Sequence, residues 1–341
     1  MLSDPLDRIP EDRRAKAQAA LATAFGRSPV TALAAITTGA SAQSYRVDVA
    51  GRQYLLRLES PRRDEVRDPH RAYACMRGAA EAGIAPAVHH ADPGSGVAIT
   101  DFVVQRPLAD YAGGGAALRR DLGALVSRLQ ATPAFPPVLA YPEVVGRLLT
   151  RLFDSGMYAP GLLEPHRQGF ERIREAYSWD STTLVSSHND LNPHNILYDG
   201  ERLWLIDWET AYGNDPLVDV ATLLLFFARA PGQDTDLLQS WLGRELDRQQ
   251  GARLVLVGLL VRLFYGCAAS LNALHGRKPA VAETDLAAPS REQFIALLDQ
   301  KQLGVGSLEA QRLVGKMALA GFMAELATPR FEEALAICHR G

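Results

Sequence analysis

The chain has 341 residues, with 36 basic and 39 acidic side chains and a formal net charge of −3. The first 102 residues carry 13 basic and 12 acidic side chains, so neither this part nor the rest has the positive excess that binding to a nucleic-acid backbone demands. Nucleic acid is therefore not an expected partner. The length suits two lobes better than one core, and we predict lobes at 1–102 and 103–341.

The cysteines and the apolar runs indicate a cytoplasmic protein. Cys75, Cys267 and Cys338 lie far apart, and no paired spacing suggests a zinc site or a disulfide framework. The N-terminal segment has early acidic residues and no apolar core for export. The most apolar run, at 254–271, is interrupted by Arg262, so we predict a core helix there and no membrane span.

The first lobe is predicted to combine two helices with short strands. In chain order the predicted elements are a helix over 11–25, strands over 34–38, 44–49 and 53–59, a helix over 69–81 and a strand over 97–104. Small residues at 39–43 and the Ala50-Gly51 pair predict the turns between the strands. A small antiparallel sheet is therefore expected in this lobe.

The second lobe is predicted to be mainly helical, because apolar residues recur three and four positions apart along most of it. The helical segments are 118–129, 144–154, 165–177, 218–229, 235–249, 252–274, 291–300 and 308–326. Together with the sheet of the first lobe, this pattern predicts a bilobal α+β fold.

Between these helices lies a segment whose polar residues are spaced for phosphoryl transfer. It runs Ser-His-Asn-Asp-Leu-Asn-Pro-His-Asn-Ile-Leu over 187–197. Transfer of a γ-phosphoryl group needs an acceptor hydroxyl that is hydrogen-bonded to a carboxylate, and divalent metal between the phosphates. Asp190 can be that carboxylate. Asn195, five residues on, can turn its amide oxygen toward a magnesium ion.

A second carboxylate follows a predicted hairpin. The apolar runs at 196–198 and 203–206 predict two short strands, and the Asp199-Gly200 pair predicts the turn between them. Asn195 precedes the first strand and Asp207 follows the second, so the hairpin would carry both at neighbouring strand ends. Both can then hold one hard cation through oxygen.

Three motifs follow one another closely: His188-x-Asp190-x4-Asn195, Ile206-Asp207-Trp208-Glu209 and Asn214-Asp215-Pro216-x2-Asp219-Val220-Ala221. In this order they resemble the aminoglycoside phosphotransferase and choline kinase family, which has a protein-kinase-like fold. The resemblance implies that Asp190 is the catalytic base and that Asn195 and Asp207 are magnesium ligands. It also implies supporting roles for His188, Glu209 and Asp219, with Asp219 bound to the backbone of the catalytic loop.

Two other interpretations of the catalytic segment stay open. An Asn-rich loop can use its side chains only to cap its own backbone. His188 and His194, together with Asp190, can also suggest a transition-metal site. A third nitrogen or sulfur ligand is lacking nearby in the sequence, however, and the Asn and Asp oxygens favour a hard cation.

In a kinase, the hairpin predicted over 34–49 would cover the nucleotide phosphates. Its turn is made of small residues, so the backbone N–H groups of Gly39, Ser41, Gln43 and Ser44 can approach the β- and γ-phosphates. A turn of Gly, Ala and Ser is equally compatible with a plain connection between strands.

The third predicted strand carries an arginine where a kinase of this type is expected to have a lysine. The only lysines in the chain are Lys16, Lys278, Lys301 and Lys316. Arg57 is therefore predicted to contact the phosphates, because a guanidinium can contact two oxygens at once and keeps its charge. The acid expected on the next helix is missing, since Ala72 stands at its position, and Glu65 is one candidate partner for Arg57.

The strand predicted at 97–104 is expected to continue into the connection between the lobes. Backbone groups of Asp101, Phe102 and Val103 would then hydrogen-bond the edge of an adenine. The alternative is a simple core strand.

The resulting expectation is a small-molecule kinase that uses ATP and Mg²⁺ and phosphorylates a hydroxyl of an amine-bearing alcohol such as choline or ethanolamine. Aminoglycoside, other sugar and thiamine-type acceptors are alternatives within the same class. The missing helix acid leaves a nucleotide-binding pseudokinase with a regulatory role as the alternative of another class. Aromatic candidates for the acceptor site are Trp208, Tyr212, Trp241, Phe264 and Tyr265. The sequence leaves the oligomeric state open.

Overall fold

The computed structural model describes residues 4–36, 42–59, 68–228 and 230–339. The chain divides into two compact units. The first comprises Met1–Val138, Leu184–Asp219 and Phe226–Gly243, and the second comprises Leu139–Thr183, Val220–Leu225 and Arg244–Gly341. The first unit holds both the predicted sheet and the motifs around Asp190. The predicted boundary near residue 103 separates two lobes of the fold, which are not the same as these two units, and it stays a prediction.

Strands in the described residues form three antiparallel sheets. They are β1 (Val30–Ile36), β2 (Ala42–Val49), β3 (Arg52–Glu59), β4 (Val88–Asp92), β5 (Val97–Asp101), β6 (Val185–Ser187), β7 (Ile196–Tyr198), β8 (Leu203–Leu205) and β9 (Tyr212–Asn214). The first five make one sheet in the order β1-β2-β3-β5-β4. The other four make two pairs, β6 with β9 and β7 with β8.

Helices make up most of the remainder. They are α1 (Glu11–Phe25), α2 (Pro69–Glu81), α3 (Gly114–Gln130), α4 (Tyr141–Asp154), α5 (Glu164–Ala176), α6 (Leu217–Phe227), α7 (Gln233–Leu242), α8 (Arg248–Leu274), α9 (Arg291–Asp299), α10 (Leu308–Leu326) and α11 (Pro329–Cys338). The predicted combination of an N-terminal antiparallel sheet with a mainly helical C-terminal part is confirmed.

One face of the five-stranded sheet is apolar, because alternate residues of a strand point to the same side. Tyr45 and Val47 of β2 and Leu56 and Leu58 of β3 are buried on this face in one cluster with residues of α1. The turn between β2 and β3 is the tight one predicted: Ala50 and Gly51 have φ of 49° and 77°, the left-handed region that a two-residue hairpin requires.

The opposite face of the sheet lies against α2. The strand register sets Ser44, Arg57 and Ala98 side by side across three strands. Ala98 packs in one cluster with Ala72 and Tyr73 of α2. The N-terminus of this helix is fixed by the Asp68 carboxylate, which accepts the His70 N–H at 3.0 Å. The capped helix therefore packs against β5, which is the neighbour of the strand that carries Arg57.

The prediction of a single helix over 235–249 is wrong, because this segment contains the end of α7, a break and the start of α8. α7 ends before Gly243, which has a φ of 71° and so takes the left-handed conformation typical of a helix end. α8 then begins after Asp247, whose carboxylate accepts the Gln250 N–H at 2.8 Å in a capping box.

The second unit is organised around α8, which packs against α4, α10 and α11. Within the described residues, α8 is the one helix whose length and composition would allow it to cross a membrane. Sixty-one per cent of its most apolar window is buried inside the protein, as in the core helix of a globular protein. The apolar run predicted at 254–271 lies within this helix.

Candidate active site

Asp219 holds the backbone at the start of the catalytic loop. Its side chain is fully buried, with Oδ2 accepting the His188 N–H and Oδ1 accepting the Asn189 N–H, each at 2.8 Å. Burial raises the pKa of Asp219, while the nearby His188 ring and the two N–H groups act in the opposite direction. Asn189 has a φ of 65°, a left-handed conformation that Asn tolerates better than most residues. These bonds fix the chain immediately before Asp190.

His188 and Asn189 tie the loop to the segment that follows the hairpin. The His188 ring donates from Nε2 to the Ile206 carbonyl at 2.8 Å. The Asn189 amide donates to the Thr210 carbonyl at 3.0 Å, and the Thr210 hydroxyl donates to the His188 carbonyl at 3.2 Å. His188 was predicted to have a supporting role, and its buried ring contacts the segment after the hairpin. The network around Asn189 was not predicted.

The Asp190 carboxylate is oriented by two amides. Asn192 Nδ2 donates to Oδ1 at 2.9 Å, and Asn195 Nδ2 donates to Oδ2 at 3.1 Å and to the Asp190 carbonyl at 2.8 Å. Asn195 therefore turns its NH₂ group toward Asp190. Among the described residues, no hydrogen bond to the Asn195 amide oxygen is found, so that oxygen is available to a cation.

The hairpin of β7 and β8 brings Asn195 and Asp207 to the same end. Ile196 pairs with Leu205, and the Ile206 N–H continues the ladder by donating to the Asn195 carbonyl at 3.0 Å. Asp207 follows with a φ of 66°. Such a left-handed conformation is uncommon for a residue with a side chain and is concentrated at functional sites.

Arg57 lies among three carboxylates. Its guanidinium approaches Glu59 Oε1 at 2.8 Å, Asp207 Oδ1 at 2.9 Å and Glu209 Oε2 at 3.9 Å. Burial disfavours the charged guanidinium, but Asp207, then Glu59 and Glu209, outweigh burial and raise the pKa of Arg57. The structure thus brings the residue predicted to contact phosphate beside a residue predicted to bind magnesium.

Glu59 is the residue that sequence reasoning missed. The position expected to carry an acidic partner of Arg57 on the helix is Ala72, which is buried and apolar, and the candidate Glu65 lies outside the described residues. The sequence of the predicted strand already contained an acid at a suitable position. Residues two apart in a strand share a face, so Glu59 had to lie beside Arg57 once β3 was predicted.

Arg71 is a second residue that was not singled out. It is buried on α2 and donates from Nε to the Ala211 carbonyl at 2.8 Å and from a terminal nitrogen to the Glu209 carbonyl at 3.1 Å. These bonds fasten the turn that carries Glu209 to α2. Glu209, predicted as a supporting residue, therefore sits on a turn held from two sides.

The predicted phosphate-covering turn is described only in part. Gly39 and Ser41 lie outside the described residues, whereas Gln43 and Ser44 belong to β2. Ser44 pairs with Ile36 on one side and with Arg57 on the other. The described end of the hairpin is thus directly beside Arg57.

The predicted adenine-binding segment begins at the end of β5. The Asp101 N–H donates to the Ala87 carbonyl at 2.9 Å, and the Phe102 N–H donates to the Gln53 carbonyl at 3.2 Å. The Asp101 carboxylate accepts a hydrogen bond from His89 at 2.7 Å. For Val103, no backbone hydrogen bond to another described residue is found, so its N–H and C=O groups are open to a ligand.

The donor set fits a magnesium ion bound together with phosphate. Over the described ranges, no group of three or more His, Cys, Asp or Glu residues is arranged to hold a metal. Magnesium, however, is usually held by one or two protein oxygens plus waters and substrate phosphates. Asp207 Oδ1 is buried and lies 2.9 Å from the Arg57 guanidinium, so its negative charge is already directed at a cationic group, and a carboxylate so placed is suited to a divalent cation as well.

Most aromatic candidates for the acceptor site belong to the core. Trp208, Tyr212 and Trp241 are buried in the first unit. Phe264 and Tyr265 are partly exposed on α8 in the second unit, with ring centroids 5.3 Å apart. Of the five residues, only this last pair keeps ring surface for a ligand.

The sheet, the fixed loop and the clustered acids define a kinase-type phosphotransferase. Residues 32–254 match the sequence profile of the phosphotransferase enzyme family, APH. The chain belongs to this family, which confirms the predicted family and enzyme class. The matched region contains Arg57, Asp190, Asn195, Asp207 and Asp219.

Two solved structures share the fold over most of the chain. A choline/ethanolamine kinase family protein from Mesorhizobium loti aligns with a TM-score of 0.65 at 21% identity, covering 96% of this chain and 100% of that one. Choline kinase LicA from Streptococcus pneumoniae aligns with a TM-score of 0.61 at 12% identity, covering 92% and 100%. These likenesses confirm the predicted protein-kinase-like fold.

A short stretch is also similar to a curated protein. Protein LicA from Haemophilus influenzae is 54% identical over 41 residues, which is 12% of this chain. The match spans 15% of the length of that relative.

Proposed function

We propose that the protein is a small-molecule kinase that transfers the γ-phosphoryl group of ATP to a hydroxyl of a small, amine-bearing alcohol. The observation that supports this most directly is the hydrogen bond from Asn195 to Asp190, together with the β7–β8 hairpin that brings Asn195 and Asp207 to one end and with Arg57 at 2.9 Å from Asp207. Membership of the phosphotransferase family supports the reaction class.

In this proposal Asp190 accepts the proton of the acceptor hydroxyl. Asn192 and Asn195 fix the direction of its carboxylate, so little reorientation is needed when the hydroxyl arrives. Asn195 and Asp207 would hold Mg²⁺ through their side-chain oxygens, and a bound Mg²⁺ would neutralise charge between the phosphates. Asp219 and His188 support the reaction only by holding the loop.

The nucleotide would be held by the first unit. Arg57 contacts phosphate oxygens in this proposal, and the backbone around Gly39, Ser41, Gln43 and Ser44 covers them. The open backbone groups of Val103 and the carbonyl side of Asp101 receive the adenine edge. A LicA structure that shares this fold is a complex with AMP, which supports a nucleotide as the bound ligand.

Choline or ethanolamine is the acceptor that we favour. The sequence beyond residue 102 carries 27 acidic and 23 basic side chains, which suits a cationic substrate. The solved neighbours named above are a choline/ethanolamine kinase family protein and a choline kinase. Aminoglycosides, other sugars and thiamine-type alcohols remain alternatives within the class.

The pseudokinase alternative rested on the missing helix acid. In the structure, Glu59 of the same strand places a carboxylate oxygen 2.8 Å from Arg57. The missing acid on the helix is therefore no longer an argument for an inactive protein. We also propose that the protein works in the cytoplasm. Its three cysteines are free and buried, as suits a reducing compartment.

The test is transfer of label from γ-labelled ATP, with magnesium present, to a panel of amino alcohols and aminoglycosides. We expect label in at least one acceptor and a loss of about 100-fold or more in Asp190→Asn. Asp110→Asn, which removes an exposed carboxylate, is the matched control. ATP binding without label in any acceptor would favour the pseudokinase, and absence of ATP binding would overturn the proposal.

A further inference from the structure

Arg57 and Glu59 form a charged pair within one strand. They are two residues apart on β3, so their side chains leave the same face of the sheet. Glu59 Oε1 lies 2.8 Å from Arg57 Nε, and their side chains are only 17% and 20% exposed. A pair so shielded from water is screened less by salt than a surface pair. The guanidinium is therefore held by a partner that moves with its own strand.

The neighbouring helix offers no acid at this point. Ala98, which lies opposite Arg57 in the sheet, packs against Ala72 and Tyr73 of α2. The Tyr73 hydroxyl is buried and has no hydrogen-bond partner within the described part of the chain. Burial, and next the nearby Glu59 carboxylate, raise the pKa of Tyr73. The helix thus presents apolar atoms and a neutral hydroxyl to the pair.

We propose that Glu59 is the positioning residue for Arg57, in place of an acid on α2, and that it keeps the guanidinium aimed at the nucleotide phosphates. This inference rests on the proposed function. It assigns to this chain a phosphate-binding cation whose orientation comes from the strand and is independent of the position of a helix.

The need for Glu59 follows from the double use of Asp207. Asp207 lies 2.9 Å from Arg57 and is also the carboxylate proposed to hold magnesium. If Asp207 binds a magnesium ion, we expect its contact with Arg57 to weaken, because the carboxylate is then shared between two cations. Glu209 is too distant to take over, at 3.9 Å from the guanidinium. Among the described carboxylates, Glu59 is then the one that stays within 3 Å of Arg57, and we expect its removal to leave Arg57 more dependent on Asp207.

The experiment compares binding of MgATP and of adenosine to the full chain. Glu59→Gln removes the charge and keeps the shape of the side chain. We expect its Kd for MgATP to rise about tenfold while its Kd for adenosine stays within about twofold, because only the phosphates contact Arg57. Glu59→Asp keeps the charge on a shorter side chain, so its Kd for MgATP should fall between those of the wild type and Glu59→Gln. Glu81→Gln, an exposed acid at the end of α2, is the control and should match the wild type.

Each outcome has one meaning. A purely structural Glu59 would weaken both ligands together or lower only the thermal stability, and either result would overturn the inference. Equal MgATP affinity of Glu59→Gln and the wild type would overturn it too, while leaving the proposed function intact. Failure of the wild type itself to bind MgATP would instead reject the proposed function and the inference with it. Adenosine binding by the variants reports that they are folded.

Discussion

At the scale of single residues, Asp219 has the largest predicted effect on stability. Its carboxylate accepts two buried backbone N–H groups, those of His188 and Asn189, at 2.8 Å each. We expect Asp219→Ala to lower the free energy of unfolding by about 2–4 kcal/mol, because each N–H left without an acceptor costs about 1–3 kcal/mol. Denaturant unfolding followed by circular dichroism measures this difference.

The control for that experiment is Asp110→Ala, which removes an exposed carboxylate from the same unit. Its effect should stay within about 0.5 kcal/mol. If the two variants were equally stable, Asp219 would not be holding the loop.

Asn192 should affect the rate of transfer and leave nucleotide binding unchanged. Its amide holds Asp190 Oδ1 at 2.9 Å, opposite the bond from Asn195 to Oδ2. We expect Asn192→Ala to lower kcat about tenfold with KM for ATP unchanged, because the carboxylate then loses one of the amide donors that orient it. Steady-state kinetics with the labelled acceptor measures both constants. A raised KM with an unchanged kcat would contradict a role in orienting Asp190.

The sequence predicted the polar residues of the site better than the hydrogen bonds and ion pairs among them. Asp190, Asn195 and Asp207 could be proposed from the sequence because a motif fixes their spacing, and the predicted hairpin of apolar runs brings two of them to one end. Glu59 was missed, although the period of the strand implied its place, because the search followed a helix position. The contacts of Arg71 with the carbonyls of residues 209 and 211 join segments 140 residues apart, and no local pattern predicts such a pair.

At the scale of elements, the close packing of α8 against α10 depends on Gly315. A Cβ at this position would meet the Ser270 hydroxyl oxygen and lie 3.0 Å from the Ser270 backbone nitrogen. We expect Gly315→Ala to lower the free energy of unfolding by about 1–3 kcal/mol, since the backbone of α8 would have to move away. Thermal or denaturant unfolding gives the value.

Gly258 provides the matched control within the same unit. It also lies inside a helix, and a Cβ there has open space within 4 Å. Gly258→Ala should raise stability by about 0.4–1 kcal/mol, because alanine loses less backbone entropy on folding. Equal signs for the two substitutions would show that helix propensity, and not packing, decides the effect of Gly315→Ala.

Element boundaries were predictable where a cap marks them. The helices over 11–25, 69–81 and 308–326 were predicted with the bounds that the structure shows, and two of them start after a capping side chain, Asp68 or Ser307. The error at 235–249 arose because apolar spacing continues across Gly243 and hides the break. α11 was not predicted at all. Its start at Thr328 lacks a side-chain cap hydrogen bond.

At the scale of the whole molecule, a nearly balanced net charge conceals a local excess of acid. The chain has a formal net charge of −3. Among the described residues, three carboxylates, those of Glu59, Asp207 and Glu209, lie within 4 Å of the single guanidinium of Arg57. Such a cluster would repel the phosphates of free ATP and attract a divalent cation. We therefore expect a site of this composition to favour the nucleotide as its metal complex.

The stability of the folded chain should therefore depend on ATP and magnesium together. A ligand that binds only the native state stabilises it by about 2.7 kcal/mol when present at 100 times its Kd. We expect MgATP at that excess to raise the Tm, and ATP with EDTA to raise it far less, because the acids around Arg57 then repel the bare phosphates. Differential scanning fluorimetry measures the shifts, with adenosine as the ligand whose effect should be the same with and without EDTA. Equal shifts for ATP with and without magnesium would contradict a metal site at Asn195 and Asp207, and the Asp207→Asn variant, which should lose the magnesium-dependent part alone, locates the effect.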